Sequence, residues 1–234
     1  MAVCEVRAIP PFSLSGEAGT VQRDAERFLD GVELARARAM APAAGARFLA
    51  GRVAQRVFAA ELMSVPVTDL CTAYSCPRCG AGPELGHGRP GYTYRGVRLP
   101  LALSLSKAAG WTLLAAVVDA SPETRLGADV EDPSGTRFDG FDALALTPAE
   151  SIELRLAGPD QLPAARARLW ARKEAWLKMT SDGLRTAPST LDVRERDGLR
   201  DLGPAETGLP AFLAAAVALS TPVQGNGSGG SSSS

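Results

Sequence analysis

The chain has 234 residues, of which 45% are hydrophobic, and a formal net charge of −1 at pH 7. This length suffices for one well-buried core or for two small lobes fused into one domain. A near-neutral chain gives no overall electrostatic case for nucleic-acid binding, and no apolar run approaches the roughly 20 residues of a membrane span. Residues 1–15 carry Glu5 and Arg7 and lack the apolar core of a signal peptide, so we expect a cytoplasmic protein.

The first part of the chain is predicted to contain one strand and two helices. Residues 1–19 form an irregular entry strand, residues 21–39 are helical by composition, and residues 40–61 form a second helix. In that second helix a core stripe at i+4 steps consists of Leu49, Val53 and Val57. Arg47, Arg52 and Arg56 lie off this stripe, and a solvated basic face is one interpretation of them. Arg36 and Arg38 lie close to them in sequence and extend the basic cluster.

Residues 63–98 are rich in Pro, Gly and Cys and are predicted to be mostly loop. Cys71, Cys76, Cys79 and His87 have a spacing that suits a structural zinc knuckle. Reduced thiols in a surface loop are the alternative, and both remain open. A zinc-stabilised nucleic-acid binder is a third hypothesis, which the near-neutral charge disfavours.

Two carboxylates are predicted to share one face at the end of a strand. Residues 99–106 and 111–118 are apolar and form strands, and residues 127–132 follow a turn, so we expect 111–118 and 127–132 to pair as a hairpin. Because side chains alternate along a strand, Asp129 and Glu131 point to the same side.

Residues 164–178 form the main helix of the second half, with Pro163 at its start and Ser181-Asp182-Gly183 at its end. Glu174 and Lys178 follow Trp170 at i+4 steps on one face. A solvated ion pair is one interpretation. If instead the helix places Glu174 beside the two strand carboxylates, the three oxygen ligands favour Mg²⁺.

The strand Gly127-Ala128-Asp129-Val130-Glu131 and the helix segment Trp170-Ala171-Arg172-Lys173-Glu174-Ala175-Trp176-Leu177-Lys178 resemble the paired signature of the 4'-phosphopantetheinyl transferases, specifically the larger Sfp-type monomers. Weaker likenesses lie in the helix around Arg47, the loop His87-Gly88-Arg89-Pro90 and the strand Leu103–Lys107. The resemblance extends over roughly residues 20–220.

The resemblance implies roles for individual residues. Mg²⁺ would be held by Asp129, Glu131 and Glu174. Glu174 would also act as the base, directly or through a metal-bound water, and Lys178 would place a positive charge on the transferring phosphoryl group. Coenzyme A would be bound by Arg47, Arg89, Lys107, Arg36 and Arg38. Lys107 stands where the family pattern has histidine, so binding is expected to survive but a proton-transfer role at this position is in doubt.

The implied reaction moves the 4'-phosphopantetheine arm of coenzyme A to a serine of an apo acyl or peptidyl carrier protein, as in a holo-[acyl-carrier-protein] synthase, and releases adenosine 3',5'-bisphosphate. The alternative is a catalytically degenerate module that binds coenzyme A or a carrier protein. No nucleic acid or membrane is expected as a partner, and a monomer is expected.

The implied fold is α/β (α+β), with two similar lobes in a pseudo-twofold arrangement, each a small, mostly antiparallel sheet packed on a main helix. We predict an N-terminal lobe at 1–115, a C-terminal lobe with the metal site at 116–224 and a disordered Gly/Ser tail at 225–234. A capping box at Thr147 opens a short helix, and residues 190–194 alternate as a strand. The alanines of 211–219 favour helix, but their place in the family pattern is a closing strand, which we adopt.

Overall fold

Two three-stranded antiparallel sheets and two long helices contain most of the core. The computed structural model describes residues 3–11, 18–82, 85, 87–181 and 183–221, so the predicted tail at 225–234 lies outside the described residues. The first half contains, in chain order, β1 (Cys4–Ile9), α1 (Ala18–Phe28), α2 (Gly31–Arg38), α3 (Pro42–Met63), β2 (Leu70–Thr72), β3 (Tyr74–Cys76), β4 (Gly80–Gly82), β5 (Tyr92–Tyr94), β6 (Val97–Arg98), β7 (Leu101–Ala108) and β8 (Trp111–Val118).

The second half contains β9 (Arg125–Glu131), α4 (Phe141–Ala145), α5 (Pro148–Leu154), α6 (Leu162–Thr180), β10 (Leu199–Asp201), α7 (Pro204–Thr207) and β11 (Ala214–Ser220). Short 3₁₀ turns lie at Val67–Asp69, Pro133–Thr136, Gly183–Arg185 and Pro188–Thr190. None of the helices in the described part of the chain is long and apolar enough to cross a membrane.

The strand order is β1-β8-β7 in the first sheet and β10-β11-β9 in the second, and all pairs are antiparallel. Apolar side chains of β8, β9 and β11 form a core shared by the two sheets. Other faces of the sheets pack against α3 in the first half and α6 in the second. The predicted mixed α/β fold with small antiparallel sheets is confirmed, and the pseudo-twofold relation between two lobes stays a prediction.

The predicted hairpin of 111–118 with 127–132 is wrong. β8 pairs with β1 and β7, whereas β9 pairs with β11 through a register that includes Ala216 opposite Asp129. β9 lies beside β7 through side chains, since Ser104 Oγ accepts a 2.9 Å hydrogen bond from the Ala128 N–H. Sequence proximity favoured a hairpin, but the shared core of the two sheets determines the pairing.

Two other element predictions are corrected. The single helix predicted at 21–39 is split into α1 and α2, because Asp30 forms a capping box with Glu33 and starts a new helix. The strand predicted at 190–194 is an irregular segment. Its carbonyl groups at Val193 and Arg194 accept hydrogen bonds from the buried Arg172 guanidinium, which replaces a neighbouring strand as the donor.

The entry strand predicted at 1–19 is shorter in the structure, β1 (Cys4–Ile9), and its residues 1–2 and 12–17 lie outside the described residues. Other element predictions are confirmed. β11 (Ala214–Ser220) covers most of the closing strand predicted at 211–219, the Thr147 capping box opens α5, and the loop at 63–98 carries five short strands. In the core stripe predicted for α3, Leu49 is buried, while Val53 and Val57 are half-buried. The division between residues 115 and 116 stays a prediction, and in the structure both residues lie within β8.

Gly127 allows α6 to approach β9 directly. A Cβ atom at this position would lie 2.0 Å from the Ala175 carbonyl oxygen and 2.6 Å from the Met179 backbone nitrogen. Both are backbone atoms of α6, so a larger residue could be accommodated only if the helix moved away from the sheet.

We predict that Gly127→Ala lowers the free energy of unfolding by about 1–3 kcal/mol, since α6 must shift to relieve the clash. Urea unfolding measured by circular dichroism checks this. Gly135→Ala is the matched control, because a Cβ atom there would meet nothing within 4 Å. An unchanged midpoint for Gly127→Ala would show that the helix does not need this close approach.

Candidate active site

Helix α6 begins and ends at the residues that the sequence signals indicate. Pro163 lies in its first turn, and Ser181 ends it in a left-handed conformation with φ of 62°. Trp170 is half-buried against the Phe141 ring at a centroid distance of 6.1 Å, so it belongs to the core rather than to the site. Glu174 and Lys178, one and two turns later, both line a cleft.

Lys173 fixes the rotation of α6. Its side chain is fully buried, and its Nζ atom lies 2.7 Å from Glu150 Oε2. The same ammonium donates to the carbonyl of Pro188 at 2.8 Å and to that of Leu191. Because a buried ion pair needs such additional hydrogen bonds to offset its desolvation, this position tolerates little rotation of the helix. The neighbouring Glu174 is thereby directed into the cleft.

Asp129 lies at the centre of the site and is 2% exposed. Its Oδ1 atom accepts hydrogen bonds from Ser106 Oγ and Lys178 Nζ, each at 2.6 Å. Its Oδ2 atom is buried and has no hydrogen-bond partner among the described residues. A buried carboxylate oxygen without a donor is costly, and a proton or a cation would satisfy it.

Two further carboxylates share this environment. Burial raises the pKa of Glu131 to about 8, and the charges of Asp129 and Glu174 add to the shift. Burial also raises the pKa of Glu174, with Asp129 contributing in the same direction and Lys178 opposing it. The structure therefore brings the three predicted acidic residues and Lys178 into one electrostatically coupled group.

The three carboxylates are not drawn together as tightly as ligands around a bound ion. Within the described parts of the chain, the group of potential ligands whose atoms all lie within 4.8 Å of one another is Cys76, Cys79 and His87. The acidic group is an open arrangement, and a cation would have to draw its oxygens inward.

A cleft of about 430 Å³ lies beside the acidic group. Glu174, Leu177 and Lys178 of α6 form part of its lining, together with Ser181 and Gly183. The other side is contributed by the first half of the chain: Phe48, Gly51, Arg52, Cys76, Pro77, Gly88, Arg89, Pro90, Leu103, Ser104, Leu105 and Lys107. A larger surface depression of about 820 Å³ is lined by residues such as Trp176 and Arg196 and by none of the three clustered carboxylates.

Two of the five basic residues predicted to bind coenzyme A line this cleft. Arg89 donates a 3.1 Å hydrogen bond to the Met179 carbonyl, and its buried Nε atom has no partner among the described residues. Burial lowers the pKa of Arg89, and the nearby Arg125 acts in the same direction. Desolvation of its ammonium group lowers the pKa of Lys107 to about 8, with the charges of Arg52 and Arg47 adding to the effect.

The other three basic residues lie around the cleft rather than in its lining. The Arg47 carbonyl accepts a hydrogen bond from Lys107 Nζ, and the Arg47 side chain lines an apolar depression beside α3. The Arg36 guanidinium stacks over the Phe48 ring at 5.4 Å. Arg38 lines a separate depression between α2 and α3. Their part in ligand binding stays a prediction.

Arg52 is a cleft residue that the sequence analysis assigned only to a basic face. Its guanidinium stacks on the rings of Phe48 and Tyr74 and donates a 2.6 Å hydrogen bond to the Tyr74 hydroxyl. The i+4 spacing from Phe48 to Arg52 was the available signal, because an aromatic residue one turn away can orient a guanidinium.

Arg56 is not on a solvated face. It is 1% exposed and forms ion pairs with Asp30 and Glu33 at 2.9 and 3.0 Å. It also donates to the carbonyls of Phe28 and Leu70. This arginine therefore joins α1, α2 and β2 to α3, and the expectation that it lies on a solvated basic face is wrong.

We predict that, without divalent cations, the free energy of unfolding falls as the pH rises from about 5 to 8. The folded protein holds the Glu131 proton more tightly than the unfolded chain does, because the pKa is raised, so the stabilising proton is lost as pH approaches 8. Chemical unfolding in EDTA across this range checks the slope. Glu131→Gln should flatten it, whereas Glu123→Gln at an exposed position should not. Equal slopes for Glu131→Gln and the unmodified protein would contradict the shift.

Residues 125–209 match a family model, ACPS, that describes the 4'-phosphopantetheinyl transferase superfamily. The match runs from β9 through α6 to the segment after α7. A search of curated proteins finds no match. The matched segment contains Asp129, Glu131, Glu174 and Lys178. The family comparison thus supports the 4'-phosphopantetheinyl transferase superfamily, a group of transferases, for this part of the chain.

Proposed function

We propose that this protein transfers the 4'-phosphopantetheine arm of coenzyme A to a serine hydroxyl of an apo acyl or peptidyl carrier protein and releases adenosine 3',5'-bisphosphate. The observation that carries the proposal is the acidic group of Asp129, Glu131 and Glu174, which opens beside a cleft that contains basic residues. An anionic pyrophosphate can be held between the acidic group and the basic residues when a divalent cation joins it to the carboxylates.

The residues suit Mg²⁺. Oxygen-only donors favour this ion, and the unpartnered Oδ2 atom of Asp129 is a ready ligand, since Ser106 and Lys178 occupy Oδ1. Asp129, Glu131 and Glu174 would hold the ion. When bound, Mg²⁺ supplies charge neutralisation at the pyrophosphate and stabilises the leaving phosphate.

Glu174 is the proposed proton acceptor for the carrier serine. A serine hydroxyl is a weak nucleophile and needs a base in place when it attacks. Without a divalent cation, burial raises the pKa of Glu174 and Asp129 adds to the shift. The Glu174 carboxylate lines the cleft, where it can accept a proton from a bound hydroxyl group. Lys178, which contacts Asp129, would place its ammonium near the transferring phosphoryl group.

Arg89, Lys107 and Arg52 are proposed to hold the phosphates of coenzyme A. All three line the cleft, and guanidinium groups bind phosphate with directed pairs of hydrogen bonds. Lys107 contributes a point charge where the family pattern has histidine. Arg47, Arg36 and Arg38 are proposed as outer contacts with the nucleotide end.

The subfamily, the oligomeric state, the location and the carrier class are inferred from the resemblance to the Sfp-type transferases. We infer an Sfp-type enzyme of the holo-[acyl-carrier-protein] synthase kind that acts as a monomer in the cytoplasm on carriers of polyketide or nonribosomal peptide biosynthesis. The basic residues that line the cleft suit the phosphates of coenzyme A.

We predict that Glu174→Gln lowers the rate of phosphopantetheine transfer at least about 100-fold, because the base and one cation ligand are lost together. Intact-mass spectrometry of a panel of apo carrier proteins with coenzyme A and Mg²⁺ measures the transfer. Glu153→Gln, at an exposed position on α5, should retain the activity, and EDTA should abolish it.

Transfer at a normal rate by folded Glu174→Gln would remove Glu174 from the mechanism. If the unmodified protein binds coenzyme A but transfers nothing to any carrier, the degenerate binding module replaces the enzyme as the proposed function.

We predict that Arg89→Ala weakens coenzyme A binding roughly 10- to 100-fold, since charge-assisted hydrogen bonds to phosphate are lost. Isothermal titration calorimetry measures the dissociation constant, and Arg89→Lys should recover part of the affinity. Arg155→Ala, an exposed change beyond α5, is the control. Arg36→Ala and Arg38→Ala in the same series test how far the ligand extends along α2. Unchanged affinity for folded Arg89→Ala would remove it from the site.

A further inference from the structure

Three potential metal ligands outside the proposed transfer chemistry lie together near the edge of the cleft. The ligand atoms of Cys76, Cys79 and His87 are all within 4.8 Å of one another. Both cysteines are free thiols, and Cys76 itself lines the cleft. None of the three is needed to bind coenzyme A or to move a proton in the proposed reaction, so their convergence calls for a separate explanation.

The backbone of a short hairpin alone holds the Cys76 and Cys79 thiols close together. β3 and β4 form a small hairpin in which Cys76 pairs with Gly80, so residues 77–79 form its turn. Gly80 has φ of 83°, a left-handed conformation that closes the turn with little strain for glycine. A tight turn of this kind places two side chains three residues apart on the same small loop, as in the knuckles that bind zinc.

His87 is positioned by a second backbone contact with the same hairpin. Ser75 and Arg89 exchange two hydrogen bonds, of 2.8 and 3.0 Å, between their backbone groups. Gly88, between His87 and Arg89, has φ of 91°, and a Cβ atom there would lie 2.4 Å from the Ser75 carbonyl oxygen. The close approach that glycine allows therefore brings His87 against Cys76 from the opposite part of the loop.

The three ligand atoms, two cysteine sulfurs and one imidazole nitrogen, favour a borderline-soft cation. Two thiolates and one imidazole are ligands typical of Zn²⁺, whereas Mg²⁺ takes oxygen ligands, so the cluster differs in chemistry from the acidic group. In an ideal tetrahedron with Zn–S bonds of about 2.3 Å, two sulfur atoms lie about 3.8 Å apart. Atoms already within 4.8 Å need only small side-chain movements to reach that geometry.

We propose that Cys76, Cys79 and His87 bind one Zn²⁺ ion, with the fourth tetrahedral position open to solvent. Binding forms two Zn–S bonds and one Zn–N bond and releases the protons of the thiols to solvent, without any change of oxidation state. Cys71, which the sequence spacing included, lies on β2 and is outside the group.

The ion would connect the β3–β4 hairpin to the segment that presents Arg89. Among residues 77–82, 85 and 87–90, which the structure describes, no apolar side chain is buried, and these residues are held mainly by backbone hydrogen bonds. A metal cross-link supplies the rigidity that a small core cannot. In this role the three ligands are positioning residues, because they hold the Arg89 backbone at the cleft without contacting a substrate.

The first experiment measures metal in the full-length protein. After expression without added chelator, inductively coupled plasma mass spectrometry should find about one zinc per chain, and Cys79→Ser and His87→Ala should lose it. Cys71→Ser is the matched control and should keep the ion. Zinc that survives in folded Cys79→Ser would overturn the proposal, and so would a protein that is free of zinc and takes none up from Zn²⁺-containing buffer.

A second measurement does not depend on whether the variants fold. Co²⁺ added to the metal-free, unmodified protein should give thiolate-to-metal charge-transfer absorption that saturates at one equivalent and disappears when Zn²⁺ is added. The acidic group has no sulfur ligand, so Co²⁺ bound there gives no such band. Absence of the band in reduced protein, or an intact mass showing a Cys76–Cys79 disulfide in protein purified without oxygen, would refute the metal site.

Discussion

The contact of helix α6 with strand β9 at Gly127 controls the geometry of the candidate site. At this residue the backbone of the helix lies so close to the strand that a single methyl group would overlap the Ala175 carbonyl. Asp129 is two residues further along β9 on the same side of the strand. Lys178, one turn of helix beyond Glu174, can therefore reach Asp129 at 2.6 Å. A wider separation of α6 from β9 would leave the Asp129 carboxylate buried without the Lys178 ammonium as its partner.

A second constraint prevents α6 from turning about its axis. Consecutive residues of this helix face opposite environments, with Lys173 buried against Glu150 and Glu174 in the cleft. Glu150 is itself held by the Thr147 capping box and by the Val193 N–H at 3.0 Å. Loss of one partner would leave an uncompensated buried charge, which typically costs about 3–5 kcal/mol. The Lys173–Glu150 ion pair thus orients α6 and determines which carboxylate reaches the site.

The sequence predicted the local features well, because they depend on local physics. The limits of α6, the capping box at Thr147 and the common side of Asp129 and Glu131 follow from turn signals and side-chain alternation. The partner of β9 and the burial of Arg56 did not follow, since both depend on residues distant in the chain. Arg56 lies at helical spacing from Arg52, yet only the fold places Asp30 and Glu33 around it. The gathering of Cys76, Cys79 and His87 without Cys71 likewise depends on backbone pairing between Ser75 and Arg89.

The charge distribution across the cleft indicates what kind of ligand it can hold. With all groups ionised, Asp129, Glu131, Glu174 and Lys178 leave two net negative charges in a partly buried site, and burial together with the neighbouring carboxylates raises the pKa of Glu131 to about 8. The cleft lining contains Glu174 of this group together with Arg52, Arg89 and Lys107. An anion alone would be attracted by the basic residues and repelled by the carboxylates, and a cation alone would experience the reverse. A phosphate ester that arrives with a divalent cation would satisfy both groups, because the carboxylates would hold the cation and the guanidinium groups would bind the phosphate oxygens. This complementarity is an argument for the proposal that an anionic phosphate ester and a divalent cation bind together.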